Sequence, residues 1–324
     1  MIPLKEFLCF WKNPPAYWLK NTLPLNKPWI PKVRHYEEPF SLLEETKEKS
    51  TGASAQLNRK GKKVATSLFY AYLKGEEAFL NTKLHLLQSD TLPSGEFAKI
   101  WLDALTHNLL ALMKQPLPTG GNLSMLRTEK LANEPQSLSF DTFRLSYTLG
   151  PVLQGNLIIF QPLKKLTVGN SLEKGLLSGY LQHLLHNTGG KSGATYLFTL
   201  DESFYFPALK SDAAQARLLT WAHYFSAGMQ KPLPFFNAFF SKILNLDPEN
   251  EQKLYEKWQL YLQEQVENKN KSLAEIFLFS SAYEDRYENE VLFTTMKTLF
   301  YDLLLPLQEG KSYYLLDRRN KESH

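Results

Sequence analysis

Cysteine is almost absent from the sequence: Cys9 is the single one among 324 residues. One thiol cannot form an internal disulfide, and it excludes a cysteine-rich zinc module and a four-cysteine iron–sulfur cluster. Because disulfide-stabilised chains belong to oxidising compartments, we expect this chain in the reducing cytoplasm. Cys9 stands between Leu8 and Phe10, an apolar setting that favours an inert, structural thiol over a nucleophile.

Long apolar runs and a strong charge of one sign are also missing. No stretch approaches the roughly 20 apolar residues that span a bilayer, so we expect no membrane segment. Lys5, Glu6 and Lys12 interrupt the apolar N-terminal stretch, which therefore lacks the pattern of a signal peptide. The 37 basic and 33 acidic side chains give a net charge of +4, which is too small to indicate a free-standing nucleic-acid binder.

Several signatures of catalysis and cofactor binding do not occur. The sequence has no phosphate-binding loop, no dinucleotide-binding G-x-G-x-x-G and no G-x-S-x-G nucleophile elbow. The stretch Gly189–Ser192 superficially resembles a phosphate loop, but it follows a predicted helix, and we interpret it as the helix stop. His183 and His186 lie among leucines with no cysteine near them, and we interpret both as structural, as we do His223.

Aromatic side chains, in contrast, are abundant: the chain has 21 Phe, 16 Tyr and 6 Trp, or 13% of its residues. Rings in this number need a large core, a partner surface, or both. We therefore expect part of them at the surface, in an apolar patch that is large for a monomer.

Hydrophobic spacing predicts helices towards both ends of the chain and strands between them. Helices are predicted at 3–12, 41–87, 96–113, 172–186, 213–229, 235–244, 249–265 and 290–305, and strands at 143–147, 155–161, 165–168, 195–200 and 203–206. Pro14 and Pro15 are expected to end the first helix. This order predicts an α/β (α+β) fold in which helices flank a small mixed sheet.

The same patterns divide the chain into four parts. Residues 1–114 are mainly helical, and residues 115–139, rich in Pro, Gly, Asn and Ser, are predicted to form connecting loops. Residues 140–308 contain the predicted sheet and the later helices, and residues 309–324 form a tail.

A basic stretch lies within the second predicted helix. Arg59, Lys60, Lys62 and Lys63 occur with no acidic residue between positions 51 and 75. Such a stretch can contact nucleic-acid phosphates, but it can also form one solvated face of a helix, which is the commoner outcome. No aromatic side chain is interleaved within it, so the pattern alone leaves both alternatives open.

Several ordered stretches are similar to those of a known family. They are 4–19 (with Leu4, Phe7, Phe10, Trp11, Pro14, Tyr17 and Leu19), Glu37–Phe40, Leu92–Phe97, Tyr180–Leu184, Leu218–Pro232 and Phe300–Leu307. In order and spacing they resemble the C-terminal region of RecC, the gamma chain of exodeoxyribonuclease V. The resemblance runs over about residues 4–308 and rests on the ordered set. Because the family subunit is several times longer, we expect this chain to correspond to its C-terminal portion.

The resemblance implies a fold, a role and partners. RecC is the non-catalytic subunit of a three-subunit helicase–nuclease that resects DNA ends and responds to Chi sequences. Its C-terminal region has a fold like that of the PD-(D/E)xK nucleases without their active site. The implied partners are RecB, RecD, double-stranded DNA ends and separated single strands. No cofactor is implied, because the iron–sulfur cluster of related AddB-type subunits needs four cysteines.

The residues agree with the implied loss of the nuclease site. An active nuclease of this class needs an Asp on one strand, then an acid and a Lys on the next, to bind Mg²⁺ and activate water. By the resemblance, Ile158 stands at the position of the metal-binding Asp, and the following strand offers Lys164 and Lys165. No Asp or Glu occurs between Leu145 and Leu172, so we expect no metal site and no catalytic residue.

Our leading hypothesis is therefore a structural, DNA-handling domain that holds partner subunits and helps to guide or split DNA strands. The candidate phosphate contacts are Arg59, Lys60, Lys62, Lys63, Lys164 and Lys165. Two alternatives stay open at this point. One is an active metal-dependent DNA exonuclease whose acids lie elsewhere, and the other is a protein-interaction scaffold that does not contact DNA.

Overall fold

The structure is a computed structural model that describes residues 1–22, 59–89, 91–92, 95–118, 120–123, 134–162, 175–190, 192–200, 202–243, 250–267, 286–309 and 311–315. The helices are α1 (Leu4–Phe10), α2 (Pro14–Thr22), α3 (Arg59–Lys74), α4 (Glu76–Gln88), α5 (Glu96–Met113), α6 (Leu177–His186), α7 (Ser211–Gln230), α8 (Asn237–Ile243), α9 (Glu251–Glu267) and α10 (Arg286–Leu299). A π-helical turn (Phe300–Leu304) and a 3-10 turn (Leu305–Glu309) follow α10. The strands are β1 (Ile2–Pro3), β2 (Gln136–Ser139), β3 (Arg144–Tyr147), β4 (Val152–Leu153), β5 (Asn156–Phe160), β6 (Thr195–Phe198), β7 (Glu202–Phe206) and β8 (Lys311–Leu315).

The predicted α/β class is confirmed, although the described strands form two small mixed sheets where one was expected. The three-stranded sheet has the order β1-β3-β2, with β1 parallel and β2 antiparallel to β3. The five-stranded sheet has the order β4-β5-β6-β7-β8. Its β5–β6 pair is parallel, and the other neighbours are antiparallel. Because parallel strands need a crossover connection, α6 lies in the segment between β5 and β6.

The five-stranded sheet separates two hydrophobic cores. Along β5, Leu157 and Ile159 belong to one core and Ile158 and Phe160 to the other, because successive strand side chains point to opposite faces. The first core draws its buried side chains mainly from α1, β3 and α6 to α10, and the second core from α3, α4 and α5. These four side chains are all buried, so the strand is covered on both faces from Leu157 to Phe160.

Aromatic rings dominate the first core where α1 meets α7. The Trp11 ring stands edge-on to the Trp221 ring at 4.6 Å, and the Phe10 ring to the Phe225 ring at 4.8 Å. Gly228 allows the Phe10 ring to pack closely against α7, because a Cβ atom at position 228 would lie 2.4 Å from Cζ of Phe10. Edge-to-face pairs of this kind stabilise a core by about 0.5–1.5 kcal/mol beyond the area that they bury.

Several element bounds differ from the sequence predictions for local physical reasons. Pro14 and Pro15 begin α2 instead of only ending α1, since proline suits the first helical turn, where its missing N–H costs no hydrogen bond. Asn13 caps this helix, because its Oδ1 accepts the Ala16 N–H at 2.9 Å. The single helix predicted at 41–87 is divided at Gly75, whose φ of 136° is left-handed, and residues 41–58 lie outside the described part.

Some strands were not anticipated. β2 occupies the end of the predicted connecting loops, β8 occupies part of the predicted tail, and β1 and β4 have two residues each. A two-residue strand is too short to give an alternating pattern, and the pairing partner of β8 lies more than a hundred residues away in sequence. The strand predicted at 165–168 lies outside the described residues.

Candidate functional site

Helix α3 presents lysine side chains on one face. Lys60, Lys63 and Lys74 are exposed, and at about 100° per residue they lie within an arc of about 60°. At a rise of about 1.5 Å per residue, Lys60 and Lys74 stand about 21 Å apart along the axis, the length of about six base steps. The helix contains no Asp or Glu, so no carboxylate within α3 offsets this positive face. We call these three side chains the α3 lysine face.

The opposite side of α3 anchors the helix to the five-stranded sheet. The Phe69 ring stacks on the Phe160 ring of β5 at 4.3 Å, with an interplanar angle of 8°. The Phe160 N–H donates to the Tyr70 hydroxyl at 3.4 Å, and burial raises the pKa of Tyr70 above its usual value, so this phenol stays neutral. Val64 and Leu68 are buried in the same second core. The lysine face is therefore held on a packed element of the fold.

The structure brings together only some of the predicted phosphate contacts. Lys60 and Lys63 share one exposed face of α3, whereas Lys62 is half-buried on another side. The helix begins at Arg59, whose side chain lies outside what the structure describes. Lys164 and Lys165 also lie outside the described residues, so their role stays a prediction.

Sequence reasoning missed Lys74 as a member of this face. The basic stretch was identified by local density, and Lys74 stands alone in sequence between Leu73 and Gly75. Its separation from Lys60 is close to four helical turns, and this helical spacing is the signal that identifies it.

Ile158 lies at the centre of the second core. It is fully buried on β5, its N–H donates to the Pro151 carbonyl at 2.9 Å, and its register partner on β6 is Tyr196. Because α3 contributes Leu68 and Phe69 to the same core, a carboxylate at position 158 would be buried among apolar side chains, at a large desolvation cost. Within the described ranges, no group of three or more His, Cys, Asp and Glu side chains is arranged to hold a metal ion.

The C-terminal end of α6 carries a buried polar network. Oδ1 of Asn187 accepts the backbone N–H groups of Gly193 (2.9 Å) and Leu209 (3.2 Å), which orients the Asn187 amide. Its Nδ2 then donates to the His183 carbonyl at 2.9 Å and faces His183 Nδ1 at 3.2 Å. Asn187 is fully buried and joins three segments of the chain. From the sequence, the stretch that follows His186 was predicted only to end the helix.

His183 is a structural, neutral histidine. With Asn187 donating to Nδ1, this nitrogen accepts, and the Thr195 hydroxyl at 2.8 Å is positioned to donate to it as well. Burial, together with the smaller effects of the nearby His186 and Arg217, lowers the pKa of His183 to about 3. The prediction of a structural role is confirmed for His183, which the surrounding groups hold uncharged.

The other residues singled out in the sequence are His186, His223 and Cys9. His186 is buried, and its Nε2–H donates to the Gly155 carbonyl at 2.9 Å. His223 is exposed beside Tyr224, at 5.7 Å between ring centroids. Cys9 is a free, half-buried thiol on α1. The predicted helix stop is confirmed, because α6 ends at His186 and is followed by left-handed Gly189.

A cleft of about 660 Å³ opens between the two sheets beside α6. It is lined by Gln136, Ser137, Leu138, Tyr147, Leu149, Val152, Gly155, Leu185, His186, Thr188, Gly189 and Ser192. Burial raises the pKa of Tyr147, and the Thr188 side chain hydrogen-bonds this phenol and opposes the rise in part. The cleft wall depends on Gly193, where an added Cβ atom would lie 1.9 Å from the Gly155 carbonyl oxygen. This volume falls in the range of ligand and peptide sites.

Exposed apolar side chains gather on α4 and α5. Leu80, Leu84 and Leu87 follow one helical stripe of α4, and Phe97 and Ile100 lie at the start of α5. Phe97 is 78% exposed. We call these five side chains the α4–α5 apolar face. Among the side chains that the structure describes, Phe97 is the single exposed aromatic, so the expectation of an aromatic surface patch is wrong for that part of the chain.

In the part of the chain that the structure describes, the fold is a mixed α/β domain with exposed lysines on α3 and exposed apolar side chains on α4 and α5. The family described as the RecC C-terminal domain matches residues 1–245, and the chain therefore belongs to this family. Membership implies a role as part of a RecC subunit, and hence of the RecBCD complex. Among curated proteins, none matches the sequence at a significant level.

One further finding concerns membranes. In the described helices, no segment combines the length and the hydropathy that a bilayer crossing requires.

Proposed function

We propose that this chain is the non-catalytic C-terminal domain of the RecC subunit of exodeoxyribonuclease V, acting in the cytoplasm in double-strand break repair by homologous recombination. Residues 140–308 form a nuclease-like core of the PD-(D/E)xK kind without its active site. The domain holds RecB and RecD and helps to guide or split the strands of a DNA end. Its residues position partners and DNA, and turnover belongs to the other subunits.

The observation that carries this proposal is the full burial of Ile158 in the hydrophobic core to which α3 contributes. The position that the resemblance aligns with a metal-binding Asp is occupied by an aliphatic side chain with no exposed surface. The helix that supplies Leu68 and Phe69 to this core also carries the α3 lysine face. Packed apolar side chains occupy this side of the sheet, and the exposed side of α3 carries lysines. Both observations support a role in positioning DNA and not in hydrolysing it.

The α3 lysine face supplies the contact with DNA in this proposal. Lysine side chains that neutralise phosphates release condensed counterions, so the binding constant falls with salt by a slope of about 0.9 per contact on duplex DNA. Such contacts carry no sequence information, which suits a domain that must accept any DNA end. The net charge of +4 is small, and the partner subunits supply the rest of the positive channel.

The α4–α5 apolar face supplies the contact with a partner subunit. Five exposed apolar side chains lie on two helices that the Lys83–Asp103 ion pair joins at 2.6 Å, and their exposure to water is unfavourable. Burying them against a partner gains roughly 25 cal/mol per Å² of apolar area.

The test of the DNA contact compares two triple variants of the full chain assembled with RecB and RecD. In one, Lys60, Lys63 and Lys74 are replaced by Ala, and in the matched control three exposed lysines of other elements, Lys231, Lys253 and Lys257, are replaced instead. We expect the first variant alone to lower the salt slope of forked-DNA binding by about 2–3. Equal slopes in the two variants would contradict the DNA role of α3 and favour a scaffold that does not contact DNA.

The test of the non-catalytic assignment uses the full chain without partners. We expect no cleavage of linear duplex or single-stranded DNA with Mg²⁺ or Mn²⁺ present. Cleavage that one Asp or Glu substitution abolishes would overturn the assignment in favour of an active nuclease with acids elsewhere.

A further inference from the structure

Strand β2 has one paired edge and one edge without a described partner. In the three-stranded sheet it pairs with β3 on one side, in the register Gln136↔Tyr147 to Ser139↔Arg144. Among the described residues, no strand pairs with its outer side. An uncovered strand edge presents rows of backbone donors and acceptors to which another chain can add.

The ladder pattern shows which backbone groups face outwards. The Phe140 N–H donates to the Phe143 carbonyl at 2.8 Å, so positions 140 and 143 form a hydrogen-bonded pair. In antiparallel strands such pairs alternate with non-hydrogen-bonded ones. The backbone groups of Leu138 and Gln136 therefore point towards β3, and those of Ser137 and Ser139 point away from it. The outward N–H and carbonyl groups of Ser137 and Ser139 are two residues apart, which is the spacing at which a neighbouring strand forms its hydrogen bonds.

The cleft described above lies beside this strand. Gln136, Ser137 and Leu138 form part of its lining, and Val152 of β4, the edge strand of the second sheet, lines it as well. Two edge strands thus contribute to one cleft of about 660 Å³. An extended chain beside β2 would have room there for the side chains of alternate residues.

The lining of the cleft selects the chemistry of the occupant. None of its twelve side chains is Lys, Arg, Asp or Glu. Its titratable groups are His186, which donates to a carbonyl, and Tyr147, which burial keeps neutral. Among the described lining residues none is cationic, and the neighbouring Arg144 donates to Ser137 Oγ, so the cleft lining itself favours an uncharged chain over a nucleic-acid backbone. Leu138, Leu149 and Leu185 suit small apolar side chains, with hydroxyl groups at the rim.

We propose that an extended, uncharged peptide segment of another subunit of the RecBCD complex adds as a strand to the outer edge of β2 and places alternate side chains in the cleft. Backbone hydrogen bonds to Ser137 and Ser139 supply its alignment, and the cleft supplies its side-chain preference. This inference rests on the partner assignment proposed above, but it uses a site separate from the α3 lysine face and the α4–α5 apolar face.

The test uses a pair of variants at one position. Ser137→Pro removes the outward N–H, and an edge strand tolerates proline where the N–H does not serve the sheet. Ser137→Ala keeps the N–H. Both variants lose the Ser137 hydroxyl, which accepts a hydrogen bond from Nη2 of Arg144 at 2.6 Å, so the N–H is the difference that matters.

We expect the full chain with Ser137→Pro to associate with RecB and RecD about tenfold more weakly than the chain with Ser137→Ala. In the unsubstituted chain, we expect amide hydrogen exchange at positions 137 and 139 to slow by about tenfold or more on assembly. This second measurement does not depend on the folding of a variant.

Four results would overturn the proposal. Assembly with equal affinities and unchanged exchange would show that β2 is not the docking edge, while leaving the proposed function standing. A lower melting temperature of Ser137→Pro than of Ser137→Ala in the chain alone would show that the edge is already paired within the chain. A dimer of the chain alone that Ser137→Pro dissolves would identify a second copy as the occupant. If the unsubstituted chain does not assemble with RecB and RecD at all, both the proposed function and this inference fail.

Discussion

The two cores on opposite faces of the five-stranded sheet differ in their side chains and in what covers them. The first core is rich in rings, with Trp11, Trp221 and Trp258 among its fully buried members. The second core is mainly aliphatic, built from leucines of α3, α4 and α5 with a smaller share of rings. Helices of both cores carry exposed apolar side chains, but the described helices over the second core are only α3, α4 and α5, and these carry the α3 lysine face and the α4–α5 apolar face.

This difference concerns two of the three contact surfaces proposed above, which lie on helices of the second core. Interlocked rings tolerate little change of shape, because protein interiors are packed as densely as organic crystals. The helices over the second core need only one apolar stripe each for packing. Their other sides are available for the α3 lysine face and the α4–α5 apolar face. The α3 lysine face and the α4–α5 apolar face therefore lie over the less aromatic core, whereas the cleft beside β2 is lined by Tyr147, Leu149 and Leu185 of the first core.

The largest effect should come from truncating a ring of the first core. Phe10→Ala removes a fully buried ring from its contacts with Trp11 and Phe225, and we expect a loss of about 3–5 kcal/mol in the free energy of unfolding. Phe97→Ala, in contrast, alters an exposed ring over the second core and should change stability by less than about 0.5 kcal/mol. Urea unfolding measures both variants, and similar losses would break the distinction between the two regions.

The second effect is a pH dependence that belongs to the first region. The folded-state pKa of His183 is about 3, against 6.5 for the free side chain, so the unfolded chain binds a proton that the native state does not. The contribution of His183 to stability is complete above about pH 6.5 and falls as the pH decreases towards 3. Between pH 7 and pH 4 we expect a loss on the order of 3 kcal/mol.

The matched variant for this pH dependence is His183→Gln, which keeps a polar side chain but does not titrate in this range. We expect it to be less stable than the unsubstituted chain at pH 7 and to lose less stability on acidification. Denaturant unfolding at several pH values gives both slopes. A variant with the same slope as the unsubstituted chain would assign the acid sensitivity to other groups.

A smaller effect is expected where the second core meets the sheet. Phe69→Leu keeps an apolar side chain but loses the stack on Phe160, and we expect a cost of about 1–2 kcal/mol. Because Phe69 anchors α3, amide exchange should accelerate in α3 more than in α7. Equal acceleration in both helices would show that the two cores unfold as one unit and not separately.

The smallest effects are those of exposed ion pairs, one over each core. Lys83–Asp103 joins α4 to α5, and Lys242–Glu264 joins α8 to α9, each at 2.6 Å. Because these side chains are partly or largely exposed, we expect Lys83→Ala and Lys242→Ala each to cost between about 0 and 1 kcal/mol. Thermal unfolding at low and high salt measures this, and a salt-insensitive loss above that range at either site would indicate packing of the lysine stem instead.

Much of the architecture could be read from local pattern. The bounds of α5 were predicted at both ends, because an amphipathic stripe with a turn before it defines a helix locally. The alternation of Leu145 and Tyr147 predicted β3, and the apolar run at 156–160 predicted β5. The burial of His183 also followed from its leucine neighbours, whereas the structural role of Cys9 stays a prediction.

The candidate site was only partly predictable. The local density of lysines identified Lys60 and Lys63, but Lys74 required the helical spacing of an element whose bounds were not known. An exposed apolar patch was expected, but its composition was not, because the sequence does not show which aromatic side chains will be buried in the two cores. The polar network of Asn187 depends on Gly193 and Leu209, which meet it only in the folded chain.

By itself, the sequence determined the α/β class, the lack of cysteine-based sites, the absence of acids around Ile158 and the resemblance to RecC, because these follow from residue identity and short-range period. The tertiary structure decided which core each β5 side chain meets, that α3 and Ile158 belong to the same core, and that two edge strands share one cleft. These are long-range contacts, and no local pattern specifies which surfaces of a chain come together when its apolar side chains are buried.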